Sequence, residues 1–134
     1  MLTGELGAGK TTLVQGLVQG WGSLDKVSSP TFVLNNVYRR PDGQILNHLD
    51  AYRIESAYEA EELDIDLMLD KGALVIEWGE RIQAALPTEQ LRIQMHWVTD
   101  EQRGMLFSPH GRRYEQILAG FRALAFGGKL AAGC

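Results

Sequence analysis

The sequence predicts an α/β domain of three layers, a mixed parallel and antiparallel sheet flanked by helices. Three observations predict it. Ala73-Leu74-Val75-Ile76 is a continuous apolar run, the mark of a strand buried on both faces. Leu91, Ile93, Met95 and Trp97 alternate with polar residues, the mark of a half-exposed strand. Between and around such runs lie segments with a helical apolar period, so helices and strands intermingle along the chain. At 134 residues the chain fits one domain with a real core.

Taken in order, Met1-Leu2-Thr3 is a short apolar stub that runs into a glycine-rich loop. From Thr11, the positions Leu13, Val14, Leu17, Val18 and Trp21 follow a helical period, and Gly22 supplies a stop. Ser23 to Pro30 reads as polar loop. Thr31 to Tyr38 and Gln44 to Asp50 read as two strands joined by the turn Pro41-Asp42-Gly43. Ser56-Ala57-Tyr58-Glu59 has the form of a capping box, opening a helix through Leu63, Leu67 and Met68 that Gly72 ends. After the strand at 73–76, Arg81 to Leu86 is a short helix stopped by Pro87. A shorter strand, Met105 to Ser108, pairs with the alternating one. A last helix places Tyr114, Ile117, Leu118, Phe121 and Leu124 on one face. Residues 1–126 form the domain in this reading, and 127–134 a flexible tail.

Composition narrows the function. Hydrophobic content of 45% and charged content of 22% are ordinary for a soluble globular protein. No stretch approaches the roughly 18 apolar residues of a membrane span, and no secretory signal pattern opens the chain. Cys134, the only cysteine, permits no internal disulfide, which fits a reducing compartment and a cytoplasmic location. A net charge of −4 without a long basic run disfavours sequence-independent binding to nucleic acid.

Gly4-Glu5-Leu6-Gly7-Ala8-Gly9-Lys10-Thr11 fits G-x-x-x-x-G-K-[ST] at every defined position. Glycines let the backbone curl so that N–H groups from Glu5 to Thr12 point at phosphate oxygens. The helix that follows adds its positive dipole end. In this chemistry Lys10 bridges the β- and γ-phosphates, the Thr11 hydroxyl ligates Mg²⁺, and Thr12 adds a contact to the α-phosphate. The fold class is thereby a P-loop NTPase-like domain, with ATP or ADP as nucleotide and Mg²⁺ as metal. Such a loop normally follows a central strand, and only Met1 to Thr3 is available to supply it. The expectation is a truncated N-terminal strand, with loss of upstream residues preferred over survival on the stub.

Mg²⁺ needs further hard oxygen ligands, usually carboxylates. Glu77 ends the run Ala73 to Ile76 in the h-h-h-h-acid form of a Walker B, and Asp50 ends Ile45-Leu46-Asn47-His48-Leu49. Glu77 is assigned to Mg²⁺ or its water shell, and Asp50 to a place behind the ligands or to orienting water. The two roles are exchangeable at this level, so both carboxylates stand as metal candidates. Thr31, in Ser28-Ser29-Pro30-Thr31-Phe32, occupies the place of a γ-phosphate-sensing switch loop. His48, His96 and His110 lack companions at metal-binding spacing, and His48 is read as a structural strand residue.

Four motifs, Gly4 to Thr12, Ser29-Pro30-Thr31-Phe32, His48-Leu49-Asp50-Ala51-Tyr52-Arg53 and Glu77-Trp78-Gly79-Glu80-Arg81, occur in the order and spacing of the TsaE family, formerly YjeE. The chain resembles that family over residues 4 to 81 by motif. The resemblance implies a slow, Mg²⁺-dependent ATPase of tRNA threonylcarbamoyladenosine biosynthesis. It implies action on a TsaB–TsaD heterodimer, with tRNA reached only through that complex. It also implies that Lys10 and Thr11 hold phosphates and metal, that Thr31 is the switch residue and Glu77 a Mg²⁺ ligand, and that Asp50 and Trp78 are functional. Trp78 would pack against the nucleotide site or the partner. The family begins some tens of residues earlier, with a helix and strand that help hold adenine. Three rivals remain. A GTPase would need D-x-x-G and N-K-x-D, which the chain lacks. A small-molecule kinase would need an arginine-rich lid, whereas the arginines here are scattered. A nucleotide-binding regulatory module without hydrolysis would use the same residues.

Overall fold

The computed structural model describes residues 1–26 and 35–127. Six strands form one sheet in the order β2-β3-β4-β1-β5-β6. Strands β3 (Ile45–Asp50), β4 (Ala73–Glu77), β1 (Leu2–Gly4) and β5 (Gln90–Thr99) run parallel to their neighbours. The outer strands β2 (Asn35–Arg39) and β6 (Gln102–His110) are antiparallel to β3 and β5. The class expected from the sequence is therefore the class found. The stub at the start of the chain is its central strand, with Leu2 opposite Glu77 on one side and Ile93 on the other.

Helix α1 (Lys10–Trp21) ends at Gly22, whose left-handed φ of 98° lets its N–H turn back to the carbonyls of Gln19 and Val18. Buried Val14 and Val18 press α1 onto Leu2, Leu46 and Tyr38. On the same face Phe107 of β6 meets Phe121 of α4 (Arg112–Phe126), with ring centroids 5.4 Å apart. Helices α2 (Ala57–Glu61) and α3 (Ile65–Lys71) cover the opposite face with a 3-10 helix, Gly79–Ala85. Their cluster joins Ala60, Ile65 and Ile82 to Leu49, Ile54 and Ile76. Helices thus pack on each side of the sheet.

Four local expectations are revised. The single helix expected from Ser56 to Gly72 is two helices, broken at Asp64, which adopts a left-handed φ of 51°. Ala60 and Ile65 both enter one cluster. In an unbroken helix they would point about 140° apart, so the chain turns between them. The capping box is also offset by one residue. Ser56 accepts from the Glu59 N–H at 3.2 Å, but the Glu59 carboxylate accepts from Glu55 N–H at 3.0 Å. Strand β4, expected to be buried throughout, is exposed at Ala73 and buried only at Ile76 and Glu77. Its β1 partner is short and pairs with it at Glu77 alone. An apolar cavity of about 420 Å³ runs past Leu74, Val75 and Ile76 toward Leu91 and Ile93. Finally, β6 reaches Gln102 and His110, beyond the 105–108 expected, because ladder bonds to β5 carry polar residues that an apolar pattern does not mark.

Part of the strand expected at 31–38, the Ser28 to Phe32 loop and the tail after Gly127 lie outside the described residues. Among the described residues no helix is long and apolar enough to cross a membrane. Leu49 has 0% exposure at the centre of one core cluster. Leu49→Ala is expected to lower stability by about 3 kcal/mol, from lost transfer energy plus the cavity left behind. Urea unfolding monitored by circular dichroism checks this, and a loss under about 1 kcal/mol would contradict the packing described.

Candidate functional site

The site lies where β1, β3 and β4 end together. Gly4 closes β1 with a φ of 137°, and a Cβ there would overlap the Met95 carbonyl of β5, so only glycine lets the chain leave the sheet at this point. The following loop turns on Gly7 and Gly9, with φ of 80° and 98°, and Gly9 caps α1. Ala8 is buried beneath the loop and its N–H returns to the Glu5 carbonyl at 3.1 Å. Glu5, Leu6, Gly7 and Thr12 are exposed around the concavity. The first amides of α1 have no intrahelical acceptor, and they face outward with the positive end of the helix dipole. This is the geometry of an anion nest.

Lys10 is the cation of that nest. Its Nζ donates to the carbonyls of Gly4 and Glu5 at 2.7 and 2.8 Å, so the side chain curls back over its own loop. It also sits 4.2 Å from the centroid of the Trp78 ring, a cation–π contact. Burial lowers the Lys10 pKa, and the negative charges of Glu77, Glu80, Asp50 and Glu5 oppose that shift.

Glu77 ends β4 almost fully buried, at 3% exposure. A buried carboxylate is costly unless its oxygens are bonded. Here Oε1 accepts from the Thr11 hydroxyl at 3.0 Å, and Oε2 lies 2.6 Å from His48 Nε2. Asp50 stands opposite Glu77 in the β3–β4 register. Its Oδ1 accepts from the Tyr52 N–H at 2.9 Å. Burial raises the Asp50 pKa. The charge of Glu77 raises it further, while the Tyr52 N–H and the charge of Lys10 pull the other way.

Trp78 follows Glu77 in a left-handed conformation, φ 59°, uncommon for a bulky residue. Its N–H donates to the Leu2 carbonyl at 3.1 Å, and its ring meets Tyr52 with centroids 5.1 Å apart. Arg81 lies over both rings, 5.3 Å from Tyr52 and 5.9 Å from Trp78. On the loop's other flank a polar cleft of about 410 Å³ is bounded by Thr3, Glu5, Trp78, Glu80, Arg92 and Gln94.

The family described as "Threonylcarbamoyl adenosine biosynthesis protein TsaE" matches residues 1–105. This chain belongs to the TsaE family. It is similar to the "tRNA threonylcarbamoyladenosine biosynthesis protein TsaE" of Streptomyces coelicolor, with 41% identity over 90% of this chain and 88% of that protein. The Nostoc protein of the same name is 44% identical over 89% of this chain and 75% of its own length. Among solved structures, the crystal structure of Bacillus subtilis YdiB superposes with a TM-score of 0.69 and 31% identity, covering 92% of this chain and 75% of that one. The fold is accordingly α/β and P-loop-like, and the family role is tRNA threonylcarbamoyladenosine biosynthesis.

Of the residues singled out in the sequence, this TsaE-family chain brings together Lys10, Thr11, Asp50, Glu77 and Trp78 around the Glu5–Thr12 loop. Thr31 lies outside the described residues. Sequence reasoning missed His48, Tyr52, Glu80 and Arg81 as members of the cluster. For His48 a signal exists: two residues before Asp50 on one strand, it shares Asp50's face. Among the described residues no group of three or more His, Cys, Asp or Glu side chains forms a metal cage. The site instead offers two or three hard oxygens, from Thr11, Glu77 and Asp50, beside an anion nest. That donor set suits a cation that keeps water and phosphate among its ligands, as Mg²⁺ does.

The raised Asp50 pKa means that folding disfavours the ionised carboxyl. Stability attributable to this group is therefore highest below the ordinary carboxylate pKa, and it is lost as pH rises from there through the raised value. Asp50→Asn keeps an acceptor for Tyr52 and removes the charge. Its melting temperature is expected to exceed the parent's at pH 7, with the difference closing toward pH 4. Thermal melts at both pH values check this, and equal destabilisation at the two would contradict it.

Proposed function

We propose that this chain binds ATP and ADP with Mg²⁺ at the Gly4–Thr12 loop and hydrolyses ATP slowly. In this proposal the TsaB–TsaD heterodimer stimulates hydrolysis as part of tRNA threonylcarbamoylation in the cytoplasm, and tRNA is met only through that complex. The observation that carries the reading is the Thr11 hydroxyl 3.0 Å from a Glu77 oxygen, beside a glycine-rich loop whose buried lysine donates to that loop's own carbonyls and lies over a tryptophan face.

Phosphate oxygens replace the carbonyls of Gly4 and Glu5 around Lys10 Nζ. This exchanges a neutral acceptor for an anionic one, which strengthens each bond. The loop amides and the start of α1 take the remaining charge. The Thr11 hydroxyl and the Glu77 carboxylate hold Mg²⁺, directly or through water, with Asp50 as the alternative ligand. When bound, Mg²⁺ neutralises charge on the β- and γ-phosphates. Asp50 aligns the attacking water and accepts its proton. The water oxygen bonds to the γ-phosphorus as the bond to the β–γ bridging oxygen breaks. Burial favours this role, since a raised pKa makes the carboxylate a better base near neutral pH. Thr31 is proposed as the γ-phosphate switch residue, and Trp78 as the aromatic wall of the lysine.

Lys10→Ala is expected to weaken ADP binding roughly 10- to 100-fold, from one lost charge-assisted contact, with the melting profile retained. Titration calorimetry reads the affinity, and an unchanged value would refute the phosphate-loop role. Glu77→Ala is expected to reduce Mg²⁺-dependent phosphate release far more than ADP affinity. Assayed with and without TsaB–TsaD, the parent chain should release phosphate faster with the heterodimer present. No stimulation would count against the partner assignment.

A further inference from the structure

His48 has the least solvent exposure of any ionisable side chain near the loop, at 0%, and nothing in the proposed chemistry uses it. It sits on β3 in register with Val75, and Glu77 lies two residues further along β4, so the two side chains meet diagonally across neighbouring strands. A carboxylate only accepts hydrogen bonds. The 2.6 Å contact to Glu77 Oε2 therefore requires the proton on His48 Nε2. Nδ1 is buried, and among the described residues it meets no partner. The Tyr38 ring of β2 lies beside it, with centroids 6.2 Å apart and an interplanar angle of 30°.

A residue chosen only to fill this space would be apolar. An imidazole with a buried bare nitrogen costs stability relative to a leucine of similar volume. What the imidazole supplies is a donor at one point, Glu77 Oε2. With that oxygen engaged by His48, the carboxylate has one free direction, and Oε1 points at Thr11. The geometry points to His48 as a positioning residue that fixes the Glu77 carboxylate, so that Oε1 alone faces the phosphate loop and its metal. It touches neither phosphate nor metal. This inference rests on the proposed role of Glu77 in holding a divalent ion.

Glutamine at position 48 places an amide N–H close to where the imidazole Nε2–H lies, whereas leucine fills the space without a donor. The test compares the parent, His48→Gln, His48→Leu and Glu77→Gln. Mn²⁺ binding to the ADP complex is read by electron paramagnetic resonance, and ADP binding without metal by calorimetry. His48→Leu is expected to weaken Mn²⁺ binding roughly 10- to 100-fold, as loss of a ligand's outer partner typically does. Metal-free ADP affinity stays unchanged, and His48→Gln restores most of the Mn²⁺ affinity. In the parent protein, nitrogen NMR of the ring should show the Nε2–H tautomer. The inference is overturned if His48→Leu binds Mn²⁺ as the parent does. It is overturned equally if His48→Gln is as impaired as His48→Leu, which would mean the ring matters by shape, or if NMR shows the proton on Nδ1. Should His48→Leu not fold, the tautomer and His48→Gln still decide. Unchanged Mn²⁺ affinity in Glu77→Gln would instead remove the Glu77 reading on which all this stands.

Discussion

A carboxylate buried at the end of a central strand needs partners, and much of the site is arranged around supplying them to Glu77. One oxygen is met by a hydroxyl from the first turn of α1, the other by an imidazole from β3. These two bonds tie together three elements that the chain order keeps far apart. They also fix the way the Glu77 carboxylate faces the first turn of α1. Lys10 follows the same logic. Its hydrogen bonds go to neutral carbonyls and its charge lies over an aromatic face, and an anionic acceptor makes a stronger bond than a carbonyl does.

The supporting structure is spread over both faces of the sheet. On one, α1 is pressed down by Val14 and Val18, which aims its N-terminus at the loop. On the other, the cluster around Leu49 and Ile76 holds β3 and β4 in register, so that Asp50 and Glu77 end side by side. Trp78 carries backbone strain of order 1 kcal/mol or more in its left-handed conformation. Its N–H bond to Leu2 and its packing on Tyr52 hold it there.

Much of this was legible in the sequence, for reasons that can be traced to particular residues. The glycine spacing before Lys10-Thr11 reports backbone curvature directly, and apolar runs ending in Asp50 and Glu77 report strand ends. What pattern alone did not carry was pairing across space. The break at Asp64 comes from two buried side chains, Ala60 and Ile65, competing for one cluster, which no periodicity in that stretch reveals. His48 looked like strand filler because its partner lies 29 residues away in sequence. The partial exposure of β4 depends on the brevity of β1, a strand too short to announce itself.

The in-register pairing of β3 with β4 limits how the gene can tolerate change in length. Side chains alternate along a strand, so removing one codon inside 45–50 would swing His48 and Asp50 to the opposite side and drive Leu49 out of its core. Stability and chemistry would fail together. Codons added in the Pro41–Gln44 turn meet no such parity requirement. Length variation among descendants of this sequence should therefore collect there, with the strands themselves kept at constant length.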